Sequence, residues 1–254
     1  MVPEERRKTL LSMVDKAPKN SRGSIKHAWI QIDKARLLAG VDNEMAAFRA
    51  ITAEEEAATG IIRELQGLGY NRAGMLNPHS HPHKAGIWHL LVVVSNFMNE
   101  VGAGELSKLV VSEGVGDLKG KLIISFPSPI PGDSRWVNPT PPLNMNITND
   151  DERTGFKKQA AELASVKSAT TLKKLIDREA NIRNELIYAS HEGIPNVEDS
   201  PLDFICKREN RVMVLTYAYL LISQYREKQI FVQQCLDAYL KLLERNVDDL
   251  HPTL

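Results

Sequence analysis

Cysteine is nearly absent from this chain of 254 residues, which has two, Cys206 and Cys235. A disulfide framework is therefore excluded as the basis of the fold. Both cysteines fall in segments of helical pattern and read as reduced core thiols. Cys-x-x-Cys and His-Glu-x-x-His are both missing, so two familiar zinc-binding spacings are not encoded. Long apolar runs are missing as well. The longest, Ile87 to Val94 and Val212 to Ser223, fall short of the roughly 20 residues that a membrane helix requires, and no membrane partner is expected. Residues Met1 to Arg7 carry charges where a secretory signal has its apolar segment, which points to a cytoplasmic protein. There is no charge excess, because 32 Lys and Arg balance 32 Asp and Glu. The chain as a whole thus lacks the basic footprint of a dedicated nucleic-acid binder. Internal repeats and low-complexity tracts are also lacking.

What is present, 43% hydrophobic and 25% charged residues, is enough to bury a sizeable core. Cations outnumber acids locally, from Met1 to Arg36 and from Glu152 to Arg183, as on a solvated helix face. Residues 1–23 read as an N-terminal arm and 24–254 as a single helical domain with an insertion at about 113–149. Ser24 caps a helix through Ala39, with Ile25, Ala28, Trp29, Ile32 and Ala35 on one face. Gly40 ends it, and Asp42 or Asn43 opens a second helix to about Gly69, forming a tight hairpin. Helix returns from Ala85 to about Glu100, with a strand over Leu90 to Val94 as the alternative. In the insertion, six of the thirteen prolines lie between Pro127 and Pro142 and exclude continuous helix. Lys121 to Phe126 and Arg135 to Val137 are candidate partners in a short β-hairpin. Helix resumes from about Asp151 to Ser190, and again from Pro201 to about Asn246 with a break near Gln224 to Glu227. The fold class is all-α, a helical bundle with a Pro-rich insertion.

Three groups of residues could carry chemistry. In the second helix, Phe48, Ile51, Ala58, Ile62 and Leu65 share a face at about 100° per residue. Glu55 projects from the middle of that face, Glu54 from its edge, and Glu56 away. A carboxylate among apolar side chains needs a cation, and Arg36, across the hairpin, is the first candidate. A later helix repeats the pattern: Glu179 and Arg183 lie within the apolar face of Leu172, Leu175, Ile182 and Leu186, four residues apart in the favourable order for an ion pair. The second group is His79, His81 and His83, whose alternate spacing in an extended segment would turn three imidazoles to one side, as a metal ion requires. Lys84 follows directly. The third runs from Arg183 and Asn184 through Tyr188 to His191, at a helix C-terminus where a charged imidazole is favoured. A histidine of the second group, near a helix N-terminus, could act as acid or base beside an arginine.

The A-x-x-x-I-x-A-E-E core of Ala46 to Ala58 resembles the HEPN superfamily, as do His83-Lys84 opening an apolar helix and Ile182-Arg183 to Tyr188 before a glycine-containing turn. AbiV-type abortive-infection proteins are the most similar branch. The resemblance covers residues 24 to 100 and 152 to 193. It implies a HEPN-like all-α bundle, commonly a homodimer, and a metal-independent RNA endonuclease or RNA-binding protein of phage defence, with no cofactor. On that reading Arg183 stabilises phosphate charge, and His191 or His83 serves as acid or base with Tyr188 beside them. Glu54, Glu55, Glu179, Lys84, Asn184 and Arg36 complete the binding set. Two other readings stand beside it: a non-catalytic helical module that binds a partner protein, and a metal hydrolase built on His79, His81 and His83.

Overall fold

The computed structural model describes residues 2–101, 110–128, 134–144, 166–186 and 200–248. Among them the chain is mostly helical, with one small antiparallel sheet. The helices are α1 (Glu4–Val14), α2 (Lys19–Leu38), α3 (Asn43–Gly67), α4 (His81–Val101), α5 (Val166–Glu185), α6 (Pro201–Ser223) and α7 (Ile230–Asp248). The strands are β1 (Val110–Glu113), β2 (Leu122–Pro127) and β3 (Trp136–Val137), in the order β1-β2-β3. No described helix is long and apolar enough to cross a membrane.

The chain divides into two compact units. One comprises Met1–Glu64, Asn77–Trp88 and Lys174–Leu220, and the other Leu65–Leu76, His89–Lys173 and Leu221–Leu254. In the first unit, the segment read as an N-terminal arm contains α1, whose Leu10, Met13 and Val14 are buried. Arg7 donates to both carboxylate oxygens of Asp33 at 2.6 and 2.5 Å and lies over the Trp29 ring. The α2–α3 turn uses Gly40 at φ 81, a conformation that side chains rarely adopt. Asp42 then accepts the Met45 N–H at 2.9 Å and caps α3. Ala46, Ala50, Ala53 and Ala57 are fully or almost fully buried along α3. At Gly60 a Cβ would fall 2.6 Å from Ile25 Cδ1, so small residues let the two helices of the hairpin approach closely.

The same unit buries Glu64 at 2% exposure. Its carboxyl accepts a short hydrogen bond from the Ser21 hydroxyl, which is 2.9 Å from the Tyr219 hydroxyl. Burial pushes the Glu64 carboxyl above its ordinary value, and the Ser21 bond opposes this less strongly. Because the native pKa is raised, Glu64 contributes stability fully below its unfolded pKa and loses it as pH rises through the native value. A Glu64→Gln variant, neutral throughout, should match the parent melting temperature near about pH 4 and exceed it by a widening margin toward about pH 8. A gap that does not change with pH would mean that Glu64 does not titrate in this way.

In the second unit, β2 is the buried strand, with Leu122, Ile123 and Ile124 inside. It pairs with β1 through Val110 to Glu113 and with β3 through Trp136 and Val137. The Leu122 N–H donates to Gln224 Oε1 at 2.7 Å. Gln229, fully buried, accepts the Leu143 N–H at 2.7 Å and donates to the Leu221 carbonyl at 2.8 Å. The break between α6 and α7 thus supplies the polar side chains that fasten the Pro-rich insertion. Burial pushes the Cys235 thiol up, which keeps it protonated and unreactive.

Candidate functional site

Two ion clusters lie in the first unit, and adjacent residues of α3 feed them. Glu54 turns toward α6. There Arg208 Nη1 donates to Glu54 Oε2 at 2.6 Å, and its Nη2 donates to Glu179 Oε2, on α5, at 2.7 Å. Arg211, one turn further along α6, reaches Glu54 and Glu179 through a single nitrogen at 3.3 Å. Arg208 is stacked on Phe204 and Arg211 on Trp88. Burial alone would raise the Glu179 carboxyl, but the two guanidiniums outweigh it and hold it below the ordinary range. Burial would lower Arg208, but Glu54 and Glu179 outweigh that and keep it charged.

Glu55 faces a different set. Its Oε1 accepts from His81 Nδ1 at 2.6 Å and its Oε2 from Lys84 Nζ at 3.0 Å. Arg183 Nη1 is 3.7 Å from Oε2 and donates to His81 Nε2 at 3.3 Å. A carboxylate can only accept and a guanidinium can only donate, so these partners assign the imidazole as neutral, with its proton on Nδ1 and its lone pair on Nε2. Arg183 lies 4.7 Å over the Phe48 ring, within cation–π range. The cluster opens outward: Glu55 and Lys84 side chains are 9% and 10% exposed, against 30% for Arg183 and 37% for His81. One carboxylate against a guanidinium and an ammonium leaves a positive, partly open surface with an imidazole nitrogen in it. Such a surface suits an anion that carries an acidic or transferable proton.

The local sequence explains the position of His81. Asn77 Oδ1 accepts the His79 N–H at 2.9 Å, and Ser80 Oγ accepts the His83 N–H at 3.4 Å. Ser80 therefore starts α4 at His81, with Pro82 in its first turn, where a missing N–H does no harm. The helix begins four residues before the expected Ala85, and Leu90 to Val94 is helix rather than strand. His81, Lys84 and Trp88, at i, i+3 and i+7, then share one face.

Several expectations are corrected. Arg36 does not pair with Glu55; it donates to Glu209 on α6 at 2.6 Å. Glu179 does not pair with Arg183 four residues on, because Arg208 and Arg211 take it while Arg183 turns to His81 and Glu55. The three histidines do not converge, since two residues apart on a helix lie about 200° apart. His83 Nδ1 accepts the Asn77 N–H at 2.9 Å, and burial lowers its pKa. It serves as part of the turn. His79 is exposed. Among the described residues no group of three His, Cys, Asp or Glu is placed to hold a metal ion. Tyr188 and His191 lie outside the described residues, as does the side chain of Asn184.

Sequence reading missed Arg208, Arg211 and the place of His81 in the cluster. A signal for the arginine existed: Ile205, Arg208, Val212, Leu215 and Tyr219 follow helical spacing, which places Arg208 on the apolar face of α6. No family model, no curated protein and no solved structure matches the chain.

Proposed function

We propose that the Glu55–His81–Arg183 cluster is the active site of a HEPN-like, AbiV-type defence protein that cleaves RNA without a metal ion. The observation that carries this reading is the His81 imidazole held between Glu55 at Nδ1 and Arg183 at Nε2, on the open side of the cluster. Arg183 and Lys84 would bind the non-bridging oxygens of a phosphodiester. Once a phosphate draws the Arg183 N–H, Nε2 is released to take the proton of the neighbouring 2′-hydroxyl. The 2′ oxygen attacks phosphorus and the bond to the 5′ oxygen breaks. This leaves a 2′,3′-cyclic phosphate and a 5′-hydroxyl that takes its proton from solvent. Glu55 keeps the imidazole in the required tautomer and offsets the charge it gains, so it is a positioning residue. His81 takes the base role that the sequence suggested for His83 or His191.

A second reading is favoured by one observation: both Glu55 oxygens already have hydrogen-bond partners within the protein. In that case the cluster only fixes helix packing, and the chain is an interaction module for a partner protein. Incubating purified protein with a total RNA or tRNA pool and excess chelator separates the two. Fragments ending in 2′,3′-cyclic phosphate are expected, and Arg183→Gln should slow their formation about 10²-fold with the fold retained. RNA left intact under every condition would remove the nuclease reading, and co-purification of one specific protein would favour the interaction module.

A further inference from the structure

We infer that Arg208, whose ion-pair partners are Glu54 and Glu179 rather than Glu55, is the positioning residue that sets where Arg183 stands against Glu55 and His81. Glu54 is the neighbour of Glu55 on α3, and Glu179 lies one turn before Arg183 on α5. Arg208 holds Glu54 at 2.6 Å with one terminal nitrogen and Glu179 at 2.7 Å with the other. Its planar fork therefore joins the helix that presents the anion of the site to the helix that presents its outer cation. Each grip is within one helical turn of the residue it would place. Phe204 lies under the guanidinium at 5.1 Å and limits the direction in which the fork can point. Arg211 reaches the same carboxylates with one nitrogen at 3.3 Å and is the weaker hold.

A lysine keeps the charge but, as a point donor on a flexible stem, cannot hold two carboxylates in one plane. Arg208→Lys should thus loosen α5 against α3 without leaving an unpaired buried charge. Glu179→Gln keeps the side-chain shape and weakens only the α5 end of the fork. It decides the matter should Arg208→Lys fail to fold.

The cleavage consequence rests on the nuclease reading above, whereas the placement of Arg183 can be measured without it. Nitrogen NMR of the His81 ring reports the two contacts separately. In both variants the Nε2 signal should move toward its position in Arg183→Gln while the Nδ1 signal stays, because the Glu55 bond is intact. The turnover rate on RNA should fall between about tenfold and 10²-fold, with KM changed less. Arg178→Gln, an exposed change on the same helix, should move neither ring signal nor rate. A purely structural role would lower the melting temperature of the variants and leave Nε2 where it is, and that result in folded Arg208→Lys or Glu179→Gln overturns the inference. If the parent protein cleaves no RNA, the nuclease reading fails, and the ring signals still decide whether Arg208 places Arg183.

Discussion

Arg208→Ala is expected to destabilise the protein by about 3–5 kcal/mol, or roughly 10 °C in melting temperature for a chain of this size. Glu54 is 6% exposed, and the variant would leave it and Glu179 facing the single nitrogen of Arg211 at 3.3 Å. Carboxylates out of water and short of a cation carry most of that cost; the lost packing over Phe204 adds to it. The two contributions separate by pH. Glu179 has a native pKa below its ordinary value, so its stabilisation is present above the unfolded pKa and disappears as pH falls through the native one. Urea unfolding should therefore show a large difference between parent and variant at neutral pH that shrinks in acid. A difference that persists undiminished at low pH would assign the loss to packing and not to charge.

On the proposed nuclease reading, His81→Gln should abolish most RNA cleavage, by about 10² to 10⁴-fold, while changing thermal stability little. Glutamine can still donate to Glu55 but has no nitrogen that takes a proton. The His81 side chain is 37% exposed, so little core packing is lost. His83→Gln is the informative contrast, because His83 Nδ1 accepts a backbone N–H within the turn before α4. Its substitution should leave cleavage near the parent level. Paired rate measurements on the two variants check this, and a His81→Gln protein that cleaves at the parent rate would remove His81 from the base role.

Much of this arrangement was legible one helix at a time. The 3.6-residue period marked Glu54 and Glu55 as intrusions into an apolar face and required a cation near them. The identity of that cation was not legible. The hairpin suggested Arg36 for Glu55, yet Glu55 takes Lys84, 29 positions on, and Glu54 is held by Arg208 and Arg211, 154 and 157 positions away. Local periodicity says which face is buried but not which distant helix covers it. The histidine run failed for another reason. Alternation of His79, His81 and His83 implies convergence only in an extended chain, and the Ser80 cap with Pro82 behind it starts a helix that turns the last two apart. In the insertion, Lys121 to Phe126 and Arg135 to Val137 announced β2 and β3 by apolar and β-branched content. Strand β1 went unread: Val110 and Val111 are β-branched, but Ser112 and Glu113 complete its four residues and it is mostly exposed.

The division of neighbouring carboxylates between two clusters makes α3 intolerant of changes in chain length. One residue is about 100° of rotation, and that angle is what sends Glu54 to Arg208 and Glu55 to His81 and Lys84. A single-residue deletion between Ala46 and Ala53 would rotate one half of the helix against the other. Either the alanines at 46 and 50 would leave their contact with Ile205, or both acids would swing out of register with their cations at once. With its phase fixed both at Ala46 and Ala50 and at Glu54 and Glu55, this helix has nowhere to put an inserted or lost residue.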